Sequence, residues 1–293
     1  MKVLLFGANG QVGNECQKVF QKMGWNVLAL TRQGADFSKP SAVYNAVINI
    51  NPDVVVNACA YTAVDKAESE PALANLVNAE SVGAMGKACN ELKIPTIHIS
   101  TDYVFNGTAK NPYIENAAVA PMGVYGQSKL AGEQQLQLEN PKHVILRTSW
   151  VFSAHGNNFV KTMLRVGAER AELGVVGDQF GCPTYAGDIA KAISAFIALL
   201  KNDKPFEAWG IYNCSNRGEC SWYDFAQAIF KAGVQADLLV KAPKVNSITT
   251  DQYPTPTARP AYSVLDGSKL EALLGESMPH WRIGLTQVCE ELC

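Results

Sequence analysis

A tyrosine and a lysine four residues apart are the side chains in this sequence that most clearly suggest chemistry. Tyr125 and Lys129 would share one face of a helix, because side chains at i and i+4 are neighbours. A phenol gives up its proton slowly at pH 7, and a nearby ammonium stabilises the phenolate. Such a pair suits proton transfer to a carbonyl oxygen while a hydride arrives at the carbon. Thr101, which ends a predicted strand, offers a hydroxyl that could hydrogen-bond the same carbonyl. The spacing alone also occurs by chance in many helices.

A glycine-rich turn lies near the start of the chain. Gly7, Gly10 and Gly13 have the spacing G-x-x-G-x-x-G between the first predicted strand and the first predicted helix. Glycines allow a tight turn and a close approach to a pyrophosphate, and the helix N-terminus adds free N–H groups. Glycines are also common in turns that bind nothing. Their place at the first strand–helix junction favours a dinucleotide site.

The end of the second predicted strand bears on the choice of dinucleotide. A carboxylate there usually takes the adenosine ribose hydroxyls, but this strand ends in Leu30-Thr31-Arg32. Arg32 could instead meet a 2′-phosphate, or it could be an exposed surface arginine. The sequence therefore favours NADPH, with NADH as the alternative.

The elements that would position these residues alternate between strand and helix. Apolar runs predict strands at 3–6, 26–30, 53–57, 95–100 and 143–147. Helical periodicity predicts helices at 11–23, 40–50, 71–92 and 122–138. This order implies right-handed βαβ units and the α/β class. We expect a Rossmann-type doubly wound parallel sheet that is covered on both faces.

The regular alternation ends at about Trp150. Helices are predicted at 159–169, 188–200, 221–232 and 267–274, between loops rich in proline and threonine. We expect residues 1–150 to form a dinucleotide-binding domain. Residues 151–293 should form a smaller C-terminal region that mainly binds substrate, with some segments returning to the first domain.

Composition narrows the class of protein. The 293 residues are 47% hydrophobic and 18% charged, which argues for a well-filled core and against disorder. With 25 basic and 27 acidic residues, no broad basic field points to nucleic acid. The eight cysteines form no C-x-x-C pair, which is typical of a reducing compartment. The first strand begins almost at Met1 and no apolar run could span a bilayer, so we expect a cytoplasmic protein.

Together these features resemble the extended short-chain dehydrogenase/reductase superfamily over essentially the whole chain. Longer motifs are similar to those of one family, the dTDP-4-dehydrorhamnose reductases, which complete dTDP-L-rhamnose synthesis. The matching segments are 57–68, 100–107, 147–152, 178–184 and 259–263. Five collinear matches of this length are a strong signal.

The resemblance implies roles by position. Thr101, Tyr125 and Lys129 match the catalytic trio of the family. The family's cofactor contacts match Gly10, Gln11, Val12, Asp36, Phe37, Ala58, Ala60 and Tyr61. The expected cofactor site also includes Gly7, Gly13, Arg32, Tyr125 and Lys129. Thr101, Asp102 and Trp150 match positions near the sugar nucleotide, although Asp102 could also cap a loop and Trp150 could belong to the core.

The function implied is NAD(P)H-dependent reduction of the C4 carbonyl of dTDP-4-dehydro-L-rhamnose. A related sugar-nucleotide dehydratase would carry Asp-Glu directly after the threonine, whereas Asp102 is followed by Tyr103. The alternative is a non-catalytic, NADP-binding regulatory subunit that resembles the methionine adenosyltransferase β subunit. The sequence leaves the preferred 4-keto sugar and nucleotide base open.

A homodimer and a Mg²⁺ ion are further features of some family members. In some bacterial members glutamates bind Mg²⁺ at a dimer interface. Glu15 matches one of these positions, whereas Asp188 and the Glu290-Glu291 end do not clearly match the others. The sequence therefore names no metal ligands.

Overall fold

The computed structural model describes residues 1–201 and 206–293, in which strands and helices alternate. The strands are β1 (Lys2–Phe6), β2 (Asn26–Leu30), β3 (Val54–Asn57), β4 (Thr96–Thr101), β5 (His143–Thr148), β6 (Val151–Phe152), β7 (Glu172–Val176), β8 (Phe180–Gly181), β9 (Thr184–Tyr185), β10 (Gly210–Asn213), β11 (Cys220–Ser221) and β12 (Lys244–Ile248). The helices are α1 (Gln11–Lys22), α2 (Pro40–Ile50), α3 (Val64–Ala67), α4 (Pro71–Asn75), α5 (Ser81–Glu91), α6 (Val124–Glu139), α7 (Phe159–Glu169), α8 (Ala186–Leu199), α9 (Trp222–Gln235), α10 (Ser268–Leu274) and α11 (Trp281–Leu292). A π turn spans Leu76–Glu80, and 3₁₀ turns span Asp102–Val104 and Thr250–Gln252.

Six of the strands form one parallel sheet in the order β2-β1-β3-β4-β5-β10. The predicted α/β class and doubly wound sheet are thus confirmed. From β1 the chain first adds β2 next to one edge of this strand. It then crosses over and adds β3 next to the other edge. The crossover direction therefore reverses between β1 and β3, and a crevice opens beyond their carboxyl ends.

Alternate residues of each central strand enter two different cores, because helices cover both faces of the sheet. Val3 and Leu5 of β1 pack in the core shared with α1 and α8. Leu4 and Phe6 of the same strand pack in the core shared with α2 and α5. All four side chains are at most 1% exposed. The uninterrupted apolar run at the start of the sequence reflects this double burial.

The part of the chain after residue 150 builds a separate core and also returns to the sheet. Helices α7, α9 and α11 enclose an apolar cluster that includes Phe225 and Trp281, beside the parallel pair β7 and β12. Helix α8 also follows residue 150, but it packs against α1 in a core of the sheet and not in the separate core. Strand β10 joins the sheet edge beside β5.

The predicted helix at 71–92 is a continuous helical stretch over 71–91, but a π turn within it was not predicted. This stretch is α4, the π turn and α5 in succession, so the helical hydrogen-bond pattern is interrupted. Sequence patterning also missed α11 and the β7–β12 pair. No helix in the described residues is long and apolar enough to cross a membrane.

Candidate active site

A cleft of about 570 Å³ opens at the carboxyl edge of the sheet. It is bounded by the glycine-rich turn, by the ends of β3, β4 and β5, and by the first turns of α6. The predicted site residues that line it are Gly10, Gln11, Val12, Ala58, Ala60, Thr101, Asp102, Tyr125, Lys129 and Trp150. The fold therefore brings together residues that are up to 140 positions apart along the chain.

The glycine-rich turn has the geometry of a phosphate cradle. Gly7 adopts a left-handed backbone with φ of 79°, and a β-carbon there would lie 2.6 Å from the backbone of Ala58. A β-carbon at Gly13 would overlap the Gly7 carbonyl oxygen. Gly10 caps α1 without a side-chain hydrogen bond, and the first turn contains no acidic residue. The first amides of α1 are therefore free to bind an anion.

The predicted cofactor contacts at the end of β2 lie outside the residues that line the cleft. The Arg32 side chain is 75% exposed, and its Nε lies 3.3 Å from the Asp36 carboxylate. The Ser38 amide and hydroxyl also donate to Asp36, and these bonds lower the pKa of its carboxyl. Phe37 is buried edge-on against Phe6.

Tyr61 is held by two other parts of the chain. Its hydroxyl donates to Glu70 at 2.8 Å, and its backbone amide donates to the Asn78 side chain at 2.8 Å. Burial, followed by the hydrogen bond to Glu70, raises the pKa of the Tyr61 phenol.

Tyr125 and Lys129 lie one turn apart on α6 and face the cleft. Lys129 is 1% exposed, and its ammonium nitrogen lies 2.7 Å from the Ile99 carbonyl oxygen. Burial lowers the pKa of Lys129 to about 8 and raises the pKa of Tyr125 far above its usual value. The cleft thus contains a phenol that stays protonated at neutral pH beside an amine that can ionise there.

Thr101 and Asp102 follow at the end of β4. The Thr101 hydroxyl donates to Asp102 Oδ1 at 3.1 Å, whereas the buried Oδ2 has no hydrogen-bond partner in the described residues. Burial raises the pKa of Asp102 to about 6, although hydrogen bonds from Ser263 and Thr101 oppose the shift. An unpartnered carboxylate oxygen in a cleft is available to a polar ligand.

Sequence reasoning missed an ion pair beneath the site. Glu133 lies one turn beyond Lys129 on α6 and is fully buried. Arg147 of β5 binds it through two nitrogens, and the Ser100 hydroxyl donates to the same carboxylate. The i, i+4 spacing from Lys129 was the only signal in the sequence, because the partners come from other strands. The pair fixes α6 against β4 and β5.

Trp150 lies just after β5 in a strained conformation. Its φ is 47°, a left-handed backbone that a non-glycine residue rarely adopts. Its indole stacks on that of Trp222, with ring centroids 3.4 Å apart and planes 7° apart. A β-carbon on Gly181 would lie 2.6 Å from the Trp150 ring, so this glycine makes room for it. Trp222 also lines a second cavity of about 240 Å³, together with Gln179 and Arg259.

One group of metal-ligating side chains occurs in the described residues. The carboxylates of Glu15 and Glu291 and the ring of His155 lie within 4.8 Å of one another. The Lys18 ammonium contacts both carboxylates, and Asp188 instead binds Lys191 and Asn216. Mg²⁺ prefers oxygen ligands, and here the Lys18 ammonium contacts both carboxylates and offsets one of their two negative charges. The structure thus places Glu291 beside Glu15, whereas Asp188 lies outside this group.

Comparison with known proteins gives consistent matches over the whole chain. The family model described as the RmlD substrate binding domain matches residues 1–293. The dTDP-4-dehydrorhamnose reductase of Escherichia coli K12 is 45% identical, over 100% of this chain and 98% of its own. The crystal structure of a dTDP-4-dehydrorhamnose reductase from Clostridium acetobutylicum has a TM-score of 0.92 and 38% identity, covering 100% and 99% of the two chains. That of the Bacillus anthracis enzyme in complex with NADP has a TM-score of 0.90 and 36% identity, covering 99% of each chain.

Proposed function

Because this chain belongs to the dTDP-4-dehydrorhamnose reductase family of oxidoreductases, we propose that it reduces the C4 carbonyl of dTDP-4-dehydro-L-rhamnose with NADPH. One observation carries the proposal. Tyr125, Lys129 and Thr101 line the same cleft as the glycine-rich turn, so a proton donor and a dinucleotide site face one volume.

The glycine-rich turn fits the pyrophosphate of a dinucleotide. The uncapped first turn of α1 offers free amides, and Gly7 and Gly13 stand where side chains would collide with the backbone. A bound NADPH would supply the hydride that C4 receives. Arg32 supports the 2′-phosphorylated form, since its side chain is exposed just after β2 and has only the Asp36 carboxylate as an ion-pair partner in the described residues.

Tyr125 protonates the carbonyl oxygen in this proposal. As C4 gains a hydride, its oxygen takes the phenolic proton, which leaves a secondary alcohol and a tyrosinate. The Lys129 ammonium stabilises that tyrosinate from the same face of α6. Thr101 donates a hydrogen bond to the same oxygen and orients the carbonyl.

The sugar nucleotide lies between Asp102 and Trp150. The free Oδ2 of Asp102 accepts a hydrogen bond from a sugar hydroxyl, and the Trp150 indole packs against the apolar face of the deoxysugar. Residues 1–150 then serve mainly the cofactor, and residues 151–293 mainly the substrate. A cytoplasmic location and a homodimer stay predictions.

The test is consumption of NADPH with a panel of 4-keto deoxysugar nucleotides that differ in sugar and base. We expect turnover with dTDP-4-dehydro-L-rhamnose, and lower kcat/KM with NADH than with NADPH. Tyr125→Phe should lose about 10²–10⁴-fold in kcat while it still binds NADPH. Tyr113→Phe is the matched control, because that hydroxyl contacts only Asn106 and Ala109 in the described residues, outside the cleft.

The same measurements distinguish the alternatives. NADPH binding without turnover of any sugar in the panel would contradict the proposal and favour the regulatory-subunit reading. Normal turnover by Tyr125→Phe would remove Tyr125 from the reaction.

A further inference from the structure

Two buried polar side chains that do not line the cleft form a chain of contacts with Lys129. His98 of β4 lies with Nε2 3.2 Å from the Lys129 ammonium nitrogen. Asn57 of β3 lies with its side-chain nitrogen 3.0 Å from Nδ1 of the same ring. Both side chains are fully buried. The reaction as proposed above uses neither residue.

A backbone amide fixes the direction of this chain of hydrogen bonds. The Cys59 amide donates to Asn57 Oδ1 at 2.9 Å, and a backbone N–H can only donate. The Asn57 NH₂ group must therefore face His98 and donate to Nδ1. A neutral imidazole that accepts at Nδ1 carries its proton on Nε2. That N–H points at Lys129.

A neutral Lys129 amine satisfies this arrangement and an ammonium does not. The amine has one lone pair to accept from His98 Nε2–H and still donates to the Ile99 carbonyl oxygen. An ammonium has no lone pair, so its N–H would oppose that of His98. Reversing the chain would turn Asn57 round, so that its NH₂ group faced the part-buried Cys59 amide, which would lose its acceptor.

We propose that Asn57 and His98 are positioning residues that hold Lys129 and favour its neutral amine, so that the ammonium used in the reaction forms at the cost of reorganising this chain of hydrogen bonds. The inference rests on the proposed function for the part Lys129 plays in the reaction. The chain ends on a backbone amide, so it cannot carry protons to solvent. Its effect is on the charge and position of Lys129.

Other groups that face Lys129 act in known directions. The Glu133 carboxylate, which is paired with Arg147, and the Cys59 thiol favour the ammonium, but burial outweighs them and lowers the pKa of Lys129 to about 8. Tyr125 on the same helix face stays protonated. Burial holds the pKa of His98 well below its usual value, and a charge on Lys129 lowers that pKa further, so the ring stays neutral with either form of Lys129.

The first experiment needs no substitution. Histidine-selective ¹⁵N labelling of the full chain, with long-range ¹H–¹⁵N correlation spectra, reports the tautomer of each of the four histidines. We expect His98 to be the Nε2–H tautomer and not to titrate between pH 6 and 9. The Nδ1–H tautomer, or titration in this range, would overturn the inference.

Asn57→Asp replaces the NH₂ group that donates to His98 with an oxygen. It tests whether this chain of hydrogen bonds controls the charge of Lys129. The carboxylate keeps the Cys59 bond and accepts from Nδ1, which inverts the tautomer and lets Nε2 accept from an ammonium. We expect the pKa of Lys129, read from its ¹³C-labelled ε-carbon, to rise by about one unit or more. Asn140→Asp is the control, because it puts a carboxylate at another buried asparagine, whose side chain donates to Thr96. It should leave the pKa of Lys129 unchanged.

The pKa of Lys129 and the tautomer of His98 are measured separately in Asn57→Asp. A raised Lys129 pKa with the His98 tautomer unchanged would show that charge alone acts, and would overturn the inference. An inverted tautomer with an unmoved pKa would overturn it as well. Neither readout requires turnover, so failure of the proposed reductase activity is detected independently in the NADPH assay.

Discussion

Burial favours the uncharged form of all three ionisable side chains at the centre of the cleft. It raises the pKa of Tyr125 strongly, raises that of Asp102 to about 6, and lowers that of Lys129 to about 8. The consequences differ with the role of each residue. A proton donor has to be protonated at the working pH, as this phenol is, whereas a buried carboxylate with one unpartnered oxygen costs free energy whenever it is ionised.

Asp102→Asn should stabilise the protein at neutral pH. The folded pKa of Asp102 is raised from an ordinary 3.8 to about 6, so the folded state binds more protons than the unfolded state between these values. Stability therefore falls as pH rises from about 4 to 6, and the cost persists above 6. Removing the charge should raise the free energy of unfolding at pH 7 by about 1–3 kcal/mol. Urea denaturation at pH 4 and pH 7 measures this, and the gain should vanish at pH 4.

A second buried carboxylate gives the opposite expectation. Asp188 is 3% exposed, but Lys191 and Asn216 donate to its two oxygens at 2.8 and 2.9 Å. Asp188→Asn should lower stability by about 1–3 kcal/mol, because an amide keeps only one of the two acceptor oxygens and loses the charge that Lys191 and Asn216 bind. If both variants shift stability in the same direction, the account of Asp102 as an unpaired carboxylate is wrong. Asp102→Asn should also raise KM for the sugar nucleotide.

Sequence reasoning found the residues whose relation is local and missed those whose relation is long-range. Tyr125 and Lys129 are recognisable because helix geometry alone puts i and i+4 together. His98 gives no such signal and Glu133 gives only its spacing from Lys129, because their partners Asn57 and Arg147 come from distant parts of the chain. Their contacts exist only once the sheet order is set.

The interruption between α4 and α5 is the element that sequence periodicity could not show. The Asn78 side chain in the π turn accepts from the Tyr61 amide and donates to the Ser128 hydroxyl at 3.0 Å. An extra residue in the turn, as in other π-helical turns, places this side chain between the cofactor loop and α6. The predicted boundaries of α7 agree with the structure, because amphipathic spacing alone is enough to define where this helix begins and ends.

Gly132→Ala should displace the catalytic face of α6. A β-carbon at Gly132 would overlap the Asn78 carbonyl oxygen in the π turn, and backbone cannot move aside easily. Because Gly132 lies three residues beyond Lys129, the shift should reach Lys129 and Tyr125. We expect kcat to fall at least about tenfold and stability to fall by about 1–3 kcal/mol. Steady-state kinetics and urea denaturation measure the two effects.

Gly86→Ala provides the comparison, since it adds a methyl on α5 towards the same helix. Its β-carbon would lie 3.0 Å from Leu136 Cδ1 and 3.2 Å from Glu139 Cβ, which are both side-chain atoms, so no backbone atom is crowded as in Gly132→Ala. Alanine also favours a helix, so stability should change by less than about 1 kcal/mol. A comparable loss of kcat in both variants would show that α6 tolerates no change anywhere, rather than depending on the π turn.

The whole molecule is built so that the two parts of the chain meet at the cleft. The Gln11 side chain at the start of α1 accepts from Asn158 at 2.9 Å, and its nitrogen lies 3.4 Å from the Val151 carbonyl oxygen. The return of α8 and β10 to the first part adds a broad apolar contact. The sequence predicted that some segments after residue 150 return to the first domain, but no local pattern identified β10 as the sixth strand of the sheet. Such a pairing depends on contacts across the whole chain.

Trp150 is where this assembly can be tested, because its indole lines the cleft and stacks on Trp222 of the second part. Trp150→Ala should raise KM and lower kcat, since the indole is proposed to align the sugar for hydride transfer. The lost stack should also lower the melting temperature, as it contributes about 0.5–1.5 kcal/mol. Trp281→Ala is the matched control: this tryptophan is fully buried in the second core, edge-on to Phe225. It should lower stability by about 3–5 kcal/mol and leave KM unchanged below its melting point.

Trp150→Gly separates the two roles of this position. Both small variants lose the indole, but only glycine adopts φ of 47° without strain, so it should recover about 1 kcal/mol that alanine does not. Trp150→Gly should therefore melt above Trp150→Ala and show the same high KM. If KM instead follows the melting temperature across these two variants and Trp281→Ala, Trp150 acts through the fold and does not contact the sugar. If KM is equally raised in both Trp150 variants and normal in Trp281→Ala, the indole itself forms part of the binding surface.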